Sequence, residues 1–149
     1  MIGFRIIDPE VAMEKNTWFH LGRNSCEEIL YCLRRIADPC EEHVDNNFVP
    51  LSKEQVKEYI PLRDTVLFLL RRTEKILQTD SYDEVDEVRR EAEELKDCLE
   101  KAREAQMQRM QSSKENIAVA YLYLNLLQET RELTSSLRHL LRASKGFRE

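Results

Sequence analysis

AYLYLNLLQETRELTSSLRHLLRAS, residues 120–144, is the stretch that decides the fold class of this chain. It lies within a run free of Gly and Pro that starts at Ser112. The apolar side chains Ile117, Tyr121, Leu124, Leu127, Leu133, Leu137 and Leu140 recur mostly at steps of three and four, which is the spacing of one buried helix face. No nucleophile motif, phosphate loop or metal-ligand spacing interrupts the run. A helix of this length without chemistry of its own points to function through surfaces.

Working outward, the remaining sequence repeats the helical pattern. Residues 1–23 are poorly patterned and interrupted by Pro9, so they are expected to be a leader or membrane-proximal tether, with the bundle domain covering residues 24–149. Ser25 and Glu28 have the spacing of a capping box, in which the hydroxyl accepts from a free backbone N–H and the Glu reaches back. Ile29, Leu30, Leu33 and Ile36 follow as an apolar stripe. Asp38-Pro39 repeats the start signal, so a new helix begins there or the first one kinks. Asn46, Asn47 and Pro50 mark a connection.

Ser52 and Gln55 form a second capping box, with Leu51 and Val56 placed for a hydrophobic staple. Ile60, Val66, Leu67, Leu70 and Ile76 carry the second helix to about Thr79, with a bend near Lys57 expected from Pro61. Ser81 and Glu84 open the third helix, whose seam Val85, Val88, Ala92, Leu95, Leu99 and Ala102 alternates steps of three and four. Residues 80–104 hold 11 acids and 5 bases, so the outer faces of this helix are acidic. Ser112 or Ser113 is expected to start the fourth helix. The fold class is therefore all-α: an antiparallel up-down-up-down bundle of about four long helices joined by short links.

Composition sets further bounds. The chain has 149 residues, which suits one domain, and only 3 Gly and 4 Pro, too few for a sheet rich in tight turns. Its net charge of −5 favours no nucleic acid partner. No segment approaches the roughly 18 apolar residues that span a bilayer, and the start lacks the apolar core of a signal peptide. Taken alone, the polypeptide reads as soluble and cytosolic. Cys26, Cys32, Cys40 and Cys98 have no C-x-x-C spacing and fit reduced thiols, three of them in or near one helix. Cys40 and His43 alone make a poor zinc set, because a second pair is missing.

Carboxylates four apart on a helix can grip one cation, and Glu41 with Asp45 are the weak metal candidates on this ground; Glu93 and Asp97 fit a solvated face better. No Glu lies three residues before His20, His43 or His139, which leaves no Glu-x-x-His pair for a carboxylate-bridged metal centre. G-x-S-x-G, Walker and G-x-G-x-x-G motifs are absent from the sequence. No catalytic residue and no cofactor is expected. The basic end of the last helix, with Arg131, Arg138, Arg142, Lys145 and Arg148, suits the helix dipole, an anionic membrane surface or an acidic partner. Trp18 and Phe19 suit either a lid on the core or a docking patch. Trp18, Phe19, Arg138 and Arg142 are thus the candidate interface residues.

YLYLNLLQETRELTSSLRHLLRAS at residues 121–144 resembles the last helix of PhoU-like domains. Together with GRNSCEEILYCLRRIADPCEEHVDNNFVPL at residues 22–51 it is similar to the PhoU-like cytosolic C-terminal domain of bacterial inorganic phosphate transporters. The resemblance covers residues 22–145 in character and only the last helix in anything like a motif. Laid without gaps, the family's Arg-Asp pair falls on Gln128 and Glu129. Its metal-binding Glu and Asp fall on Arg131 and Ser135, which removes the ligands and adds a cation.

The resemblance implies a regulatory or scaffolding domain, not an enzyme. It would sit on the cytoplasmic side of the inner membrane against the transmembrane part of a phosphate transporter, with a homodimer as a further expectation. A free-standing PhoU-like regulator of phosphate uptake and a metal-binding helical-bundle enzyme are the alternatives.

Overall fold

The computed structural model describes residues 8–46 and 49–148. Residues 1–7 of the expected leader, Asn47 of the expected connection and Glu149 lie outside the described residues. Four helices make up the fold: α1 (Pro9–Asp45), α2 (Lys53–Thr79), α3 (Val85–Ser112) and α4 (Ile117–Arg148), with a 3-10 turn at Tyr82–Glu84 before α3. Together they form the expected all-α bundle of four long helices.

The helix boundaries correct several expectations. α1 begins sixteen residues before its expected start near Ser25, and it crosses the expected boundary at residue 23 without a break. The signal is Asp8-Pro9: the Asp8 carboxylate accepts from the Glu10 N–H, and Pro9 occupies the first turn, where it loses no helical hydrogen bond. Ser25 caps nothing. It is buried, and its hydroxyl donates to the Leu21 carbonyl one turn back. α1 then runs through Pro39 to Asp45.

The capping box at the head of α2 is present as expected: Gln55 N–H donates to the Ser52 hydroxyl at 3.1 Å, and Ser52 N–H to the Gln55 side chain at 2.9 Å. Ser81 makes no such bond; its hydroxyl pairs with Thr79 instead. Asp80 ends α2 in the left-handed region (φ 55°), a conformation its short polar side chain tolerates.

α4 starts at Ile117, not at Ser112 or Ser113, because α3 continues to Ser112. Asn116 is its cap: the side-chain oxygen accepts from the Val119 N–H at 3.2 Å, and the backbone carbonyl accepts from Ala120. Asn116→Ala is expected to cost about 1 kcal/mol in chemical denaturation, whereas Ser112→Ala and Ser113→Ala stay within about 0.5 kcal/mol.

Opposed pairs fix the helix directions. Arg131, Arg138 and Lys145 on α4 meet Glu100, Glu93 and Asp86 on α3 at 3.7, 2.6 and 3.9 Å. One partner climbs by seven residues as the other descends by seven, which is an antiparallel ladder. Gln55 meets Gln106 and Arg72 meets Glu91, so α2 and α3 are antiparallel. Lys15 donates to the Phe147 carbonyl at 3.1 Å and Gly22 lies against Ala143, so α1 and α4 are antiparallel too.

α4 is the central element: it packs along α1 and α3 and also touches α2 across the bundle. The α3 seam is buried at all six expected positions. On the other helices the buried face matches the apolar stripe only in part; on α4, Leu127, Leu133, Leu137 and Leu140 are buried as expected. Ile117 and Tyr121 are exposed and Leu124 half-buried, whereas Val119, Tyr123, Leu126 and Thr130 are inside. A helix contacted on three sides buries more than one stripe, and its polar members hide the true register. On α2, Val66 and Ile76 are buried with Leu62 and Leu69, but Ile60 and Leu67 face outward. On α1, Ile29 and Ile36 are half-buried beside buried Cys32, and Leu30 and Leu33 are exposed.

Candidate functional site

Apolar residues outside the core line both α1 and α2. Along α1, Cys26, Leu30, Leu33 and Ala37 follow steps of four, three and four, and all are exposed, Leu30 to 67%. Along α2, Val56, Ile60, Leu67, Leu70 and Leu77 occupy a heptad edge broken only by Arg63 and Glu74. Each helix therefore carries two apolar edges. One is buried on α4 or α3; of the other, Cys26 and Leu30 on α1 and Leu70, Glu74 and Leu77 on α2 border the space between the two helices.

That space is a groove, floored by Leu137 and Leu140 of α4 and walled by Cys26, Ile29 and Leu30 on one side and Leu70, Thr73 and Leu77 on the other. Its volume is about 330 Å³. It opens at one end into a cleft of about 430 Å³ lined by Trp18, Phe19, Gly22, Tyr82 and Phe147. The cause lies in the packing: α2 reaches α4 across the bundle, and α1 rides on α4 without closing on α2. Contiguous apolar edges of this kind are uncommon on a surface unless another surface covers them.

Of the four candidate interface residues, the structure brings Trp18 and Phe19 to this cleft and takes Arg138 elsewhere. Trp18 is half-buried against Gly146, where an added Cβ would stand 2.5 Å from the indole, and the Arg142 guanidinium lies 5.8 Å from its ring. Only Gly lets the end of α4 approach that ring so closely. Phe19 is exposed beside Phe147. Arg138 is held by Glu93 in the ladder, and Arg148 by Asp80. Most cations of the basic end thus have acidic partners within the chain, on or next to α3.

The two metal candidates, Glu41 and Asp45, are both exposed near the end of α1. Among the described residues no group of three or more His, Cys, Asp or Glu side chains converges on a metal-sized space. Among them, too, no helix is long and apolar enough to cross a membrane.

A second feature was not visible as chemistry in the sequence: a polar network at the end of the bundle where α2 and α4 begin and α3 finishes. The Glu58 carboxylate accepts from Tyr123 Oη at 2.5 Å and from both terminal nitrogens of Arg109 at 3.2 and 3.3 Å. Arg109 also donates twice to the Gln106 side-chain oxygen, while Gln106 donates to Glu115 at 2.7 Å and accepts from Gln55. Burial opposes the charge on Arg109, but the bonds to Glu58 outweigh it and raise its pKa. Tyr59, half-buried beside this group, shares a hydrogen bond with Thr130 at 2.9 Å. The internal partners and burial fit a register lock better than a substrate site.

The cysteines carry different reactivities. Burial first, then the nearby charges of Glu28 and Glu129, push the Cys32 thiol up to about 12, and burial also raises Cys40. Cys26 and Cys98 are exposed. A colourimetric thiol titration at neutral pH is expected to show Cys98 reacting first, with Cys32 released only on unfolding.

Comparison of the chain with protein-family models, curated proteins and solved structures found no match.

Proposed function

We propose that this chain is a non-enzymatic regulatory or scaffolding bundle that acts by presenting a helix face, and that it serves a bacterial inorganic phosphate transporter from the cytosolic side. The observation that supports the contact role is the apolar groove between α1 and α2, bordered by two heptad-spaced edges. Burying such edges against a partner releases about 25 cal/mol for each Å² of apolar surface removed from water. The transporter assignment is drawn from the resemblance of residues 121–144 to the last helix of PhoU-like domains.

The test is phosphate uptake in cells carrying either the native chain or the variant Leu30→Glu. Leu30 is exposed, so the variant keeps the bundle, as circular dichroism and thermal unfolding will check. Altered uptake, or lost repression of uptake at high phosphate, is the expected result. Native uptake at both low and high phosphate overturns the transporter assignment.

A further inference from the structure

We infer that the groove is occupied by α2 of a second copy of this chain, in a two-fold symmetric dimer with the two α2 helices antiparallel. The inference rests on the reading of the groove as a contact surface and names the partner. The outer edge of α2 contains Ile60, Arg63, Leu67, Leu70, Glu74 and Leu77, with alternating steps of three and four. Reverse this edge about a point between Phe68 and Leu69, and it becomes its own complement. Ile60 then stands opposite the partner's Leu77, Leu67 opposite the partner's Leu70, and Arg63 opposite the partner's Glu74.

From Ile60 to Leu77 every apolar position meets an apolar one, and the two charges that break the stripe meet each other; Val56 lies beyond the paired stretch, because its counterpart, Ser81, is past the end of α2. Layers of this kind join the two heptad core positions of antiparallel helices. Self-complementarity is what an isologous two-fold interface requires of a single patch.

The flank agrees. Asp64 and Arg71 are exposed, each directly after a member of the edge (Arg63 and Leu70), on the outer shoulder of α2. Antiparallel pairing sets Asp64 beside the partner's Arg71. Within one chain Arg63 bonds its neighbour Asp64 at 3.0 Å and Glu74 accepts from Gln78 at 3.3 Å. These are exposed, local bonds that can be exchanged at little cost. The exposed edge of α1, with Cys26 and Leu30, then forms the wall against which the partner's α2 packs. An unrelated amphipathic helix would satisfy the apolar layers, but it would have no reason to match the Arg63 and Glu74 spacing.

Sedimentation equilibrium on the full chain tests this. The native chain is expected to dimerise. Leu67→Glu, which buries a charge opposite the partner's Leu70, should weaken the dimer about a hundredfold or more. Arg63→Glu and Glu74→Arg should each weaken it about tenfold, because each sets like charges opposite one another twice. An equimolar mixture of those two single variants restores both pairs and should recover native affinity as a heterodimer.

A native chain that is monomeric at all accessible concentrations overturns the inference. So does a mixture no tighter than either variant alone. In both cases the groove's contact role is still judged separately, by uptake in cells carrying Leu67→Glu. Conversely, a dimer broken by Leu67→Glu with unaltered uptake supports the dimer and removes the transporter assignment.

Discussion

Tyr123→Ala is expected to remove about 3–5 kcal/mol of folding stability, while Tyr121→Ala, two residues away, changes it by less than about 0.5 kcal/mol. The two tyrosines occupy the same helix turn and differ in direction: Tyr123 is 0% exposed and Tyr121 63%. Truncating Tyr123 opens a cavity beneath Tyr59, whose ring meets it edge-on at 6.2 Å, and takes the phenolic donor from Glu58. Its ring also lies 5.9 Å from the Arg109 guanidinium. Urea unfolding of the two variants reads the difference directly.

A gentler change, Tyr123→Phe, isolates the hydroxyl. Burial, and then the bond to Glu58, raises this phenol above the ordinary tyrosine value of 10.0. The folded state therefore holds that proton more tightly than the unfolded chain does. Stability is complete below pH 10.0 and declines as pH rises beyond it. The Phe variant should lose part of that alkaline decline, although Tyr59, also raised by burial, retains its own share.

The contrast between these tyrosines shows where the sequence was readable. α3 faces other helices on one side only, and its six seam positions could be assigned from spacing alone. The Ser52–Gln55 box was equally plain, because both partners are side chains at a fixed interval. α4 was harder. Its interior includes Thr130, Thr134, Ser136 and Glu129, and a reading that follows apolar residues skips these and shifts onto Tyr121 and Ile117. Thr130 and Thr134 are satisfied by donating to carbonyls one turn back, which costs no distant partner and leaves no mark in the pattern.

α1 failed for a related reason. Its packed face alternates Lys15, Trp18, Gly22, Ser25, Ile29 and Cys32, too mixed in polarity to register as a stripe. The Asp8-Pro9 start signal lies in a stretch with no apolar stripe, where a Pro is equally an interruption. Leu30, Leu33, Ile60 and Leu67 are legible as helical apolar positions, and nothing in their spacing places them inside or outside the bundle. Periodicity marks a face as apolar and does not say whether its own chain covers it.

Arg109→Ala is expected to cost about 2–4 kcal/mol, more than the loss of any single exposed ion pair in the α3–α4 ladder, each worth at most about 1 kcal/mol. The ladder cations can return to water when a partner is removed. Arg109 lies mostly out of water, and its loss strands several groups at once: the Glu58 carboxylate, which keeps only Tyr123, and the oxygen of Gln106, a residue 0% exposed that keeps only Gln55. Glu115, 3.7 Å from Arg109, loses its cation as well.

A double-mutant cycle with Glu58→Gln separates pairing from packing. If the charges act on each other, the double variant should be less destabilised than the sum of the singles by about 1–2 kcal/mol. Additive losses would show that Arg109 acts only through its contacts with Gln106 and the Tyr123 ring. Because Glu58 lies on α2, Arg109 on α3 and Tyr123 on α4, one carboxylate aligns three helices at this end. Loosening it should let α2 slide relative to α4, and α2 is the helix whose heptad edge borders the groove. The dimerisation constant of Arg109→Ala is therefore expected to weaken along with its stability, although residue 109 lies on α3, away from the groove.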